Sequence, residues 1–192
     1  MALQTEQEID PGIIPGTSLR IHKYPSPALR APNEDITEFS SEIKQLAKEM
    51  LLVMYASRGV GLAAPQVGVN KRLLVFNPEG SSKAWLQEIV LINPKIVGAS
   101  KKMEMDLEAC LSFPGMSGKV KRNDWIKIEA YKPSGRKVRV KYEGWKARIF
   151  QHEFDHLEGV VYIDRLDEEE RKKVQPTLDQ LIASYPNDDK AL

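Results

Sequence analysis

The chain has 192 residues, of which 42% are hydrophobic and 29% are charged, a composition that fits one globular domain with a well-solvated surface. Its 28 basic and 27 acidic residues give a net charge of +1, so we expect no global attraction to nucleic acids or anionic membranes. The single cysteine, Cys110, excludes a scaffold held by intrachain disulfides and favours a reducing compartment. No apolar run reaches the roughly 18 residues of a membrane span, and Met1 to Asp10 are too polar for a secretory signal. The sequence therefore predicts a protein that is neither secreted nor membrane-embedded.

Prolines and glycines predict the domain boundaries. The turn-rich Asp10-Pro11-Gly12 and Pro15-Gly16 predict a flexible N-terminal tail over residues 1–17. A single folded domain is predicted for residues 18–185, and residues 186–192 are predicted to form a short C-terminal tail.

The first strong helix is predicted from about Ser40 to Ser57. Ser40 or Ser41 can cap its start, and Gly59 is suited to ending it. Its apolar residues recur at i, i+3, i+4, i+7, i+8 and i+11, which places them on one helical face. They are Ile43, Leu46, Ala47, Met50, Leu51 and Met54.

Short strands are predicted after this helix. The last two are separated by Lys132-Pro133-Ser134-Gly135, a turn signal, so they are predicted to form a hairpin. In the final strand Val138, Val140 and Tyr142 alternate with charged residues, as a half-buried strand should. The predicted strands are Arg72–Phe76, Glu88–Ile92, Lys95–Gly98, Trp125–Tyr131 and Lys137–Tyr142.

A second helix is predicted over about Trp145 to Glu158. A third is predicted to begin near Asp167, to be interrupted at Pro176 and to restart at Thr177. Strands flanked by segregated helices indicate an α+β fold. We expect short antiparallel strands packed around a central second helix, with the first and third helices on the flanks.

The most informative segment is Gln151-His152-Glu153-Phe154-Asp155-His156. Residues i and i+4 share one face of a helix, so the imidazoles of His152 and His156 can bind one metal ion. Glu153 follows the first ligand directly, where its carboxylate can reach a water on the metal. This is the His-Glu-x-x-His pattern of metal hydrolases, although two histidines at this spacing also occur as a solvated pair.

A catalytic metal needs a third protein ligand. A third histidine six residues after the second is ruled out, because position 162 is Tyr162. Glutamates 168–170 are available, but they look like the ordinary acidic first turn of a helix. Cys110 is the remaining candidate, since a thiolate is a good ligand. Its alternative interpretation is a buried structural thiol.

Three segments, taken together, resemble the signature motifs of the peptide deformylases. They are Gly59-Val60-Gly61-Leu62-Ala63-Ala64-Pro65-Gln66, then Glu108-Ala109-Cys110-Leu111-Ser112, then Gln151-His152-Glu153-Phe154-Asp155-His156-Leu157. With Tyr24-Pro25-Ser26-Pro27-Ala28-Leu29-Arg30, the resemblance covers roughly residues 19–185. It implies a metal hydrolase that removes the N-terminal formyl group from formyl-methionyl nascent polypeptides and releases formate.

The resemblance assigns metal ligation to Cys110, His152 and His156, and general acid/base catalysis to Glu153. Two nitrogens and one sulfur suggest zinc by themselves. The family instead implies ferrous iron as the native metal, with Zn²⁺, Ni²⁺ or Co²⁺ accepted by the same ligands.

The resemblance also implies an oxyanion hole made by the side-chain amide of Gln66 and the backbone N–H of Leu111. A formyl-methionine substrate needs an apolar pocket for its side chain. Ordinary core packing is the alternative interpretation of the apolar candidates. The residues predicted to bind substrate are Val60, Gly61, Trp145 and Ile149.

The segments Leu111-Ser112-Phe113-Pro114-Gly115 and Arg148-Ile149-Phe150-Gln151-His152 are most similar to the bacterial and plastid-type branch. Ala109 departs from the family, which usually has glycine there. A positive φ at Ala109 would cost roughly 1–2 kcal/mol of strain. We expect no such strain, because residues 108–112 are predicted to be extended.

The resemblance implies nascent formyl-methionyl peptides as partners, close to the ribosome. It implies a bacterial cytoplasm or the interior of a plastid or mitochondrion as the location. No direct binding of nucleic acid or membrane is predicted, and both a monomer and a weak dimer are open. Two other functions also stay open: a zinc endopeptidase in which Cys110 is incidental, and a binding module with a closed structural metal site.

Overall fold

The computed structural model describes residues 1 and 11–186, which form three α-helices, four short 3₁₀ helices and seven strands. The helices are α1 (Ser41–Ala56), α2 (Gly144–Leu157) and α3 (Glu168–Ser184). The strands are β1 (Gly61–Ala63), β2 (Leu73–Phe76), β3 (Ile89–Ala99), β4 (Met103–Ala109), β5 (Ser117–Asn123), β6 (Trp125–Tyr131) and β7 (Lys137–Glu143).

The strands form two antiparallel sheets around α2. The larger sheet has five strands in the order β1-β2-β3-β6-β7, and β4 pairs with β5 in a second, two-stranded sheet. Helix α2 contacts β1, β2, β6 and β7 of the first sheet and β5 of the second. The predicted α+β fold with a central second helix is confirmed.

The predicted hairpin is confirmed, with β6 and β7 paired from Trp125↔Glu143 to Tyr131↔Lys137. Its turn contains Gly135 at φ +81°, a conformation that glycine adopts without strain. Along β7 the lysines and arginine are exposed, whereas Tyr142 is buried. The alternation of charged and apolar residues in the sequence therefore matches the alternation of exposed and more buried side chains along β7.

The two segments predicted as Glu88–Ile92 and Lys95–Gly98 form one strand, β3, which is irregular where they meet. The register to β6 shifts between Ile92 and Lys95, and Asn93 has a φ of +48°. The Asn93 side chain is bonded to both the N–H and the carbonyl of Ile36, at 2.9 and 2.8 Å. A bulge held by this side chain explains why the sequence pattern breaks although the strand continues.

Strands β1, β4 and β5 were not predicted from the sequence. β1 has only three residues, all buried, which is too short for a period to be visible. The first four residues of β4 are exposed, and β5 carries two lysines and an arginine. Neither strand has the apolar alternation on which a prediction depends.

The first helix is confirmed, but the predicted interruption of the third helix is wrong. α3 continues through Pro176 to Ser184. Pro176 lacks the N–H of one intrahelical bond, which weakens a helix without always ending it. Val174 and Leu178, on either side of the proline, are buried in one apolar cluster with Phe113 and Tyr162, and this packing holds the helix together.

Part of the predicted N-terminal tail, residues 2–10, lies outside the described residues, as do residues 187–192 of the predicted C-terminal tail. Within the described part of residues 1–17, Met1 and Ile14 are buried. Ile14 packs in the same cluster as Met50 and Met54 of α1. The boundaries of the tails and of the domain at residues 18–185 stay predictions.

Helix α2 is buried on nearly all sides, which is unusual for a helix with so many polar residues. Phe150 is fully buried, and its ring stacks on the half-buried ring of Phe154 with centroids 5.7 Å apart. The polar residues Gln151, His152 and Glu153 are buried as well. Buried polar groups need partners, so this helix should carry either a dense hydrogen-bond network or a bound group.

We expect Phe150→Ala to lower the free energy of unfolding of the metal-free protein by about 3–5 kcal/mol, because it opens a cavity in the core. Phe154→Ala is the matched control, since the same side chain is deleted one turn further along the helix at a partly exposed position. Urea unfolding followed by circular dichroism would measure both. Equal losses for the two variants would contradict the central placement of Phe150.

Candidate metal centre and active site

Cys110, His152 and His156 form a cluster that can hold a metal ion. Each offers one donor atom, and the three donor atoms lie within 4.8 Å of one another. All three side chains are buried. The two histidines lie one turn apart on α2, and the cysteine directly follows the last residue of β4.

A turn after β4 brings Cys110 to the helix. The Phe113 N–H donates to the Cys110 carbonyl at 2.9 Å, and Leu111 and Ser112 lie within this turn. The Cys110 Sγ is 3.4 Å from the His156 Nε2. The expectation that residues 108–112 are all extended is therefore correct only up to the end of β4, because the chain must reverse to place both Cys110 and Leu111 at the site.

His152 is oriented by Glu108. Its Nδ1 donates to the Glu108 Oε2 at 2.9 Å, while no described residue bonds to its Nε2. Burial alone would lower the pKa of His152, but its interactions with Cys110 and Glu108 raise it to about 9, so binding of a metal ion at Nε2 would release a proton. Fixing Nδ1 as the donor leaves Nε2 as the free ligand atom.

Glu108 accepts hydrogen bonds from two buried arginines besides His152. Arg122 donates to both carboxylate oxygens at 2.9 Å, and Arg148 donates to Oε1 at 2.8 Å. Burial raises the pKa of Glu108, but the bonds from His152 and Arg122 outweigh it and hold the pKa well below its usual range. The carboxylate is therefore ionised and saturated with donors, which makes its burial tolerable.

The network continues through Asp155 on α2. Arg122 also donates to Asp155, and Arg165 donates to the same carboxylate at 3.0 and 2.6 Å. Arg122 of β5 thus bonds to a residue of β4 and a residue of α2. These bonds tie together α2, which carries the two candidate histidine ligands, and β4, which leads into Cys110.

The donor set fits a divalent metal ion. His152 Nε2 is a buried atom without a partner among the described residues. Burial holds the pKa of His156 well below its ordinary value, so this imidazole is neutral, as a ligand must be. The cluster offers two imidazole nitrogens and one thiolate, and three protein ligands are the number that catalytic zinc sites use.

Glu153 lies beside this cluster and is fully buried. Its Oε2 has no hydrogen-bond partner among the described residues. Gly61 of β1 lies so close to this side chain that a Cβ at Gly61 would be only 2.5 Å from the Glu153 Oε1. Glycine therefore leaves room for the Glu153 carboxylate in its present position beside the strand.

Met1 occupies the space next to Glu153. Its ammonium donates to the Glu153 Oε1 at 2.7 Å and to the Gly61 carbonyl at 2.9 Å. The Met1 carbonyl accepts from the Val60 N–H at 2.8 Å. Backbone groups of the predicted substrate-binding residues Val60 and Gly61 thus bond to a methionine.

The Met1 side chain is fully buried among apolar residues. It belongs to one cluster with Val60 and Ile149, and Trp145 packs against this cluster. The Trp145 Nε1–H donates to the Pro78 carbonyl at 3.1 Å. The four predicted substrate-binding residues are therefore brought together around or near one methionine.

Gln66 directs its amide towards the metal cluster. It is fully buried in a short 3₁₀ segment, Ala64–Val67, which follows β1. Its Oε1 accepts from the Ala63 N–H at 2.9 Å. Its Nε2 donates to the Ser112 Oγ at 3.2 Å and lies 3.6 Å from the Cys110 Sγ.

Leu111 places a second N–H donor beside Cys110. Among the described residues, its backbone N–H has no hydrogen-bond acceptor. Its carbonyl accepts from the Lys23 ammonium at 2.7 Å. A free N–H at the start of a turn can bond to an oxygen of a bound substrate.

Other sequence candidates are kept away from the centre. The His22 Nδ1 is 3.0 Å from the Ser26 Oγ, and His22 is not part of the metal cluster. Glu170 accepts from the Lys119 N–H at 2.8 Å at the start of α3, so the acidic first turn supplies no ligand to the cluster. Ala109 is the last residue of β4, and its φ is not positive, so the expected absence of strain is confirmed.

Sequence reasoning did not identify the roles of Glu108 and Arg122, or the bond between Gln66 and Ser112. Glu108 is two residues before Cys110, so a buried side chain on the same face of the strand was a usable signal. Arg122 gave no signal, because its partners on β4 and α2 are distant in sequence.

A family model of polypeptide deformylases matches residues 18–172. Among relatives, the chloroplastic peptide deformylase 1B of Oryza sativa subsp. japonica is 46% identical over 167 residues, covering 87% of this chain and 62% of the relative. The peptide deformylase of Symbiobacterium thermophilum is 46% identical over 147 residues, covering 77% of this chain and 66% of the relative. The chain thus spans about three fifths of the length of the plant relative and about two thirds of the bacterial one.

Solved structures of peptide deformylases have a similar fold. A plant peptide deformylase superposes with a TM-score of 0.85 at 43% identity, covering 88% of this chain and 91% of that one. A Synechococcus elongatus peptide deformylase in complex with actinonin gives a TM-score of 0.82 at 32% identity, covering 97% and 99%. Since the family model matches most of the sequence and the fold is shared, this chain belongs to the polypeptide deformylase family.

Proposed function

We propose that this chain is a metal-dependent hydrolase that removes the N-terminal formyl group from formyl-methionyl nascent polypeptides and releases formate. The observation that carries the proposal is a buried methionine whose amine is 2.7 Å from the Glu153 Oε1, beside the Cys110, His152 and His156 cluster. A methionine buried beside the acid/base candidate fits a site that accepts formyl-methionyl chains. Family membership supports the same reaction.

Cys110, His152 and His156 would hold one divalent ion, for which we propose ferrous iron, with Zn²⁺, Ni²⁺ or Co²⁺ as substitutes. Nitrogen and thiolate donors suit all four ions, so the donor set agrees with the proposal without selecting one metal. When bound, the ion lowers the pKa of a water molecule and polarises the formyl oxygen.

Glu153 would act as general base and then as general acid. In the reaction the water oxygen adds to the formyl carbon, the carbon–nitrogen bond breaks, and formate leaves. The proton taken from water returns to the departing amine. Contact between the Glu153 carboxylate and the Met1 amine supports this transfer, because the acid must reach the leaving nitrogen.

Gln66 and Leu111 would stabilise the negative charge that develops on the formyl oxygen. The Gln66 amide and the Leu111 N–H flank Cys110 from two different segments of the chain. Donors held in place before the reaction act most strongly on the transition state. Both donors are buried, where a low dielectric strengthens their effect.

The methionine side chain of the substrate would enter the apolar pocket that Met1 fills. Val60 and Gly61 would bond to the substrate backbone, and Ile149 and Trp145 would form part of the pocket wall. The bonds of Met1 to Val60 and Gly61 support this mode of binding.

Nascent formyl-methionyl peptides would be the partners, in a bacterial cytoplasm or in a plastid or mitochondrion. Relatives named as chloroplastic, and others from bacteria, support these locations. Over residues 1 and 11–186, none of the helices combines the length and the apolar composition of a membrane span.

The rival functions make different predictions. A zinc endopeptidase would cut internal peptide bonds, and a binding module would cut none. The proximity of Cys110 to His156 argues against an incidental cysteine. We expect an anaerobic preparation reloaded with Fe²⁺ to release formate from a formyl-Met-Ala-Ser peptide and to leave its internal bonds intact. Cleavage of internal bonds, or no release of formate, would refute the proposal.

We expect Cys110→Ser to lose bound metal and most activity, because a hydroxyl is a poorer and less readily ionised ligand than a thiol. Metal content by elemental analysis and formate release would be measured together. The control is the unmodified chain stripped with a chelator and reloaded, which should regain activity. Full metal content in the variant would show that Cys110 is not a metal ligand.

We expect Glu153→Gln to keep the metal but to lower kcat by roughly 10²–10⁴, the usual contribution of acid/base catalysis. Glu158→Gln is the matched control, since Glu158 follows the same helix and its carboxylate is exposed and paired with Arg72. A near-normal kcat for Glu153→Gln would show that the proton is handled by another group.

We expect Gln66→Ala to lower kcat by roughly 10²–10³ without loss of metal, because the amide acts mainly on the transition state. Gln45→Ala, on the exposed face of α1, is the control and should leave kcat unchanged. A rise in KM with an unchanged kcat would mean that Gln66 positions the bound substrate instead.

A further inference from the structure

The Gln66 amide has one permitted orientation in the fold. Its Oε1 accepts from the Ala63 N–H at 2.9 Å, and its Nε2 donates to the Ser112 Oγ at 3.2 Å. A flipped amide would turn its NH₂ group onto the Ala63 N–H, so two donors would face each other. Ala63 therefore selects which end of the amide faces the metal cluster, and Ser112 fixes where that end lies.

We propose that Ser112 is a positioning residue for catalysis, which acts by holding the Gln66 amide at the angle required for oxyanion stabilisation. The proposal rests on the proposed deformylase function, because it assigns to Ser112 the task of directing one donor of that site. One N–H of the amide is engaged by the Ser112 hydroxyl. The second N–H is then directed towards the side of Cys110, from which the Sγ is 3.6 Å away.

Burial makes this single hydrogen bond decisive. Gln66 and Ser112 are both fully buried, so water does not replace a lost partner at low cost. Without the Ser112 hydroxyl, the Ala63 bond would still select the end of the amide that faces the cluster, but it would not fix the angle of that end. Terminal amide torsions have broad minima, so little energy opposes a tilt that keeps the Ala63 bond.

The backbone around the pair is held independently of the side-chain bond. The His22 N–H donates to the Gln66 carbonyl at 2.7 Å, and the Tyr24 N–H donates to the Ser112 carbonyl at 2.9 Å. Between them, the Lys23 ammonium donates to the Leu111 carbonyl at 2.7 Å. One three-residue segment thus fixes the distance between the two loops, so loss of the Ser112 hydroxyl should disturb the amide rather than the loops.

The first measurement is the effect of Ser112→Ala on kcat. We expect a loss of roughly three- to tenfold, the value of one buried hydrogen bond, with KM changed less than twofold and metal content unchanged. Ser112→Gly removes the same hydroxyl, and it would be measured instead if the alanine variant does not fold. Ser100→Ala is the matched control, because Ser100 is also buried and bonded, to Lys102 and Trp125, but does not contact the site.

The decisive measurement is a double-mutant cycle with Gln66→Ala. If Ser112 acts through the amide, Ser112→Ala should change kcat less than twofold once the amide is absent. Equal losses in the two backgrounds would overturn the inference, as would an unchanged kcat for Ser112→Ala alone or for Gln66→Ala alone. A purely structural role would lower thermal stability in both backgrounds and would give additive losses.

Failure of this inference is distinguishable from failure of the proposed function. An unmodified, iron-loaded chain that releases no formate overturns both. Formate release by the unmodified chain, together with additive losses in the cycle, overturns only the role of Ser112.

Discussion

The buried carboxylate of Glu108 is the constraint on which the site depends. It bonds at once to His152 on α2 and to Arg122 on β5, while its own strand leads directly into Cys110. A buried charge without partners would cost several kcal/mol, so the strand, the sheet and the helix can pack only in the arrangement that supplies the donors. The same bonds that make the burial tolerable orient the ligand imidazole. The stability of the packing and the orientation of the His152 ring therefore depend on the same group.

The second constraint is close approach of β1 to α2. Gly61 leaves room for the Glu153 carboxylate, and the neighbouring backbone groups of β1 remain available to a methionyl residue. A side chain at Gly61 would collide with the Glu153 side chain, so either the carboxylate or the strand would have to move. The short β1 is therefore both an edge of the sheet and a wall of the candidate site.

Ala109 lies next to Cys110 without distorting the backbone there. It pairs with Ser117 at the end of the β4–β5 ladder, where a strand conformation suits alanine. The reversal that turns Leu111 towards the metal cluster starts only after Cys110. Because the bend and the alanine occupy different residues, the methyl group adds no backbone strain at the ligand.

The sequence by itself determined the regular helices, the hairpin of β6 and β7, and the motif residues of the site, because each has a local signal. His152 and His156 are related by helical spacing alone, and the resemblance supplied Cys110, Gln66 and Leu111. The tertiary structure alone decided the strands β4 and β5, the continuity of α3 through Pro176, and the partners of Glu108 and Gln66. Arg122 on β5 bonds to Glu108 on the paired strand β4 and to Asp155 on helix α2. Ser112 bonds to Gln66, which is 46 residues earlier in the chain. Such pairings follow from how the elements pack, and no local period in the sequence records them.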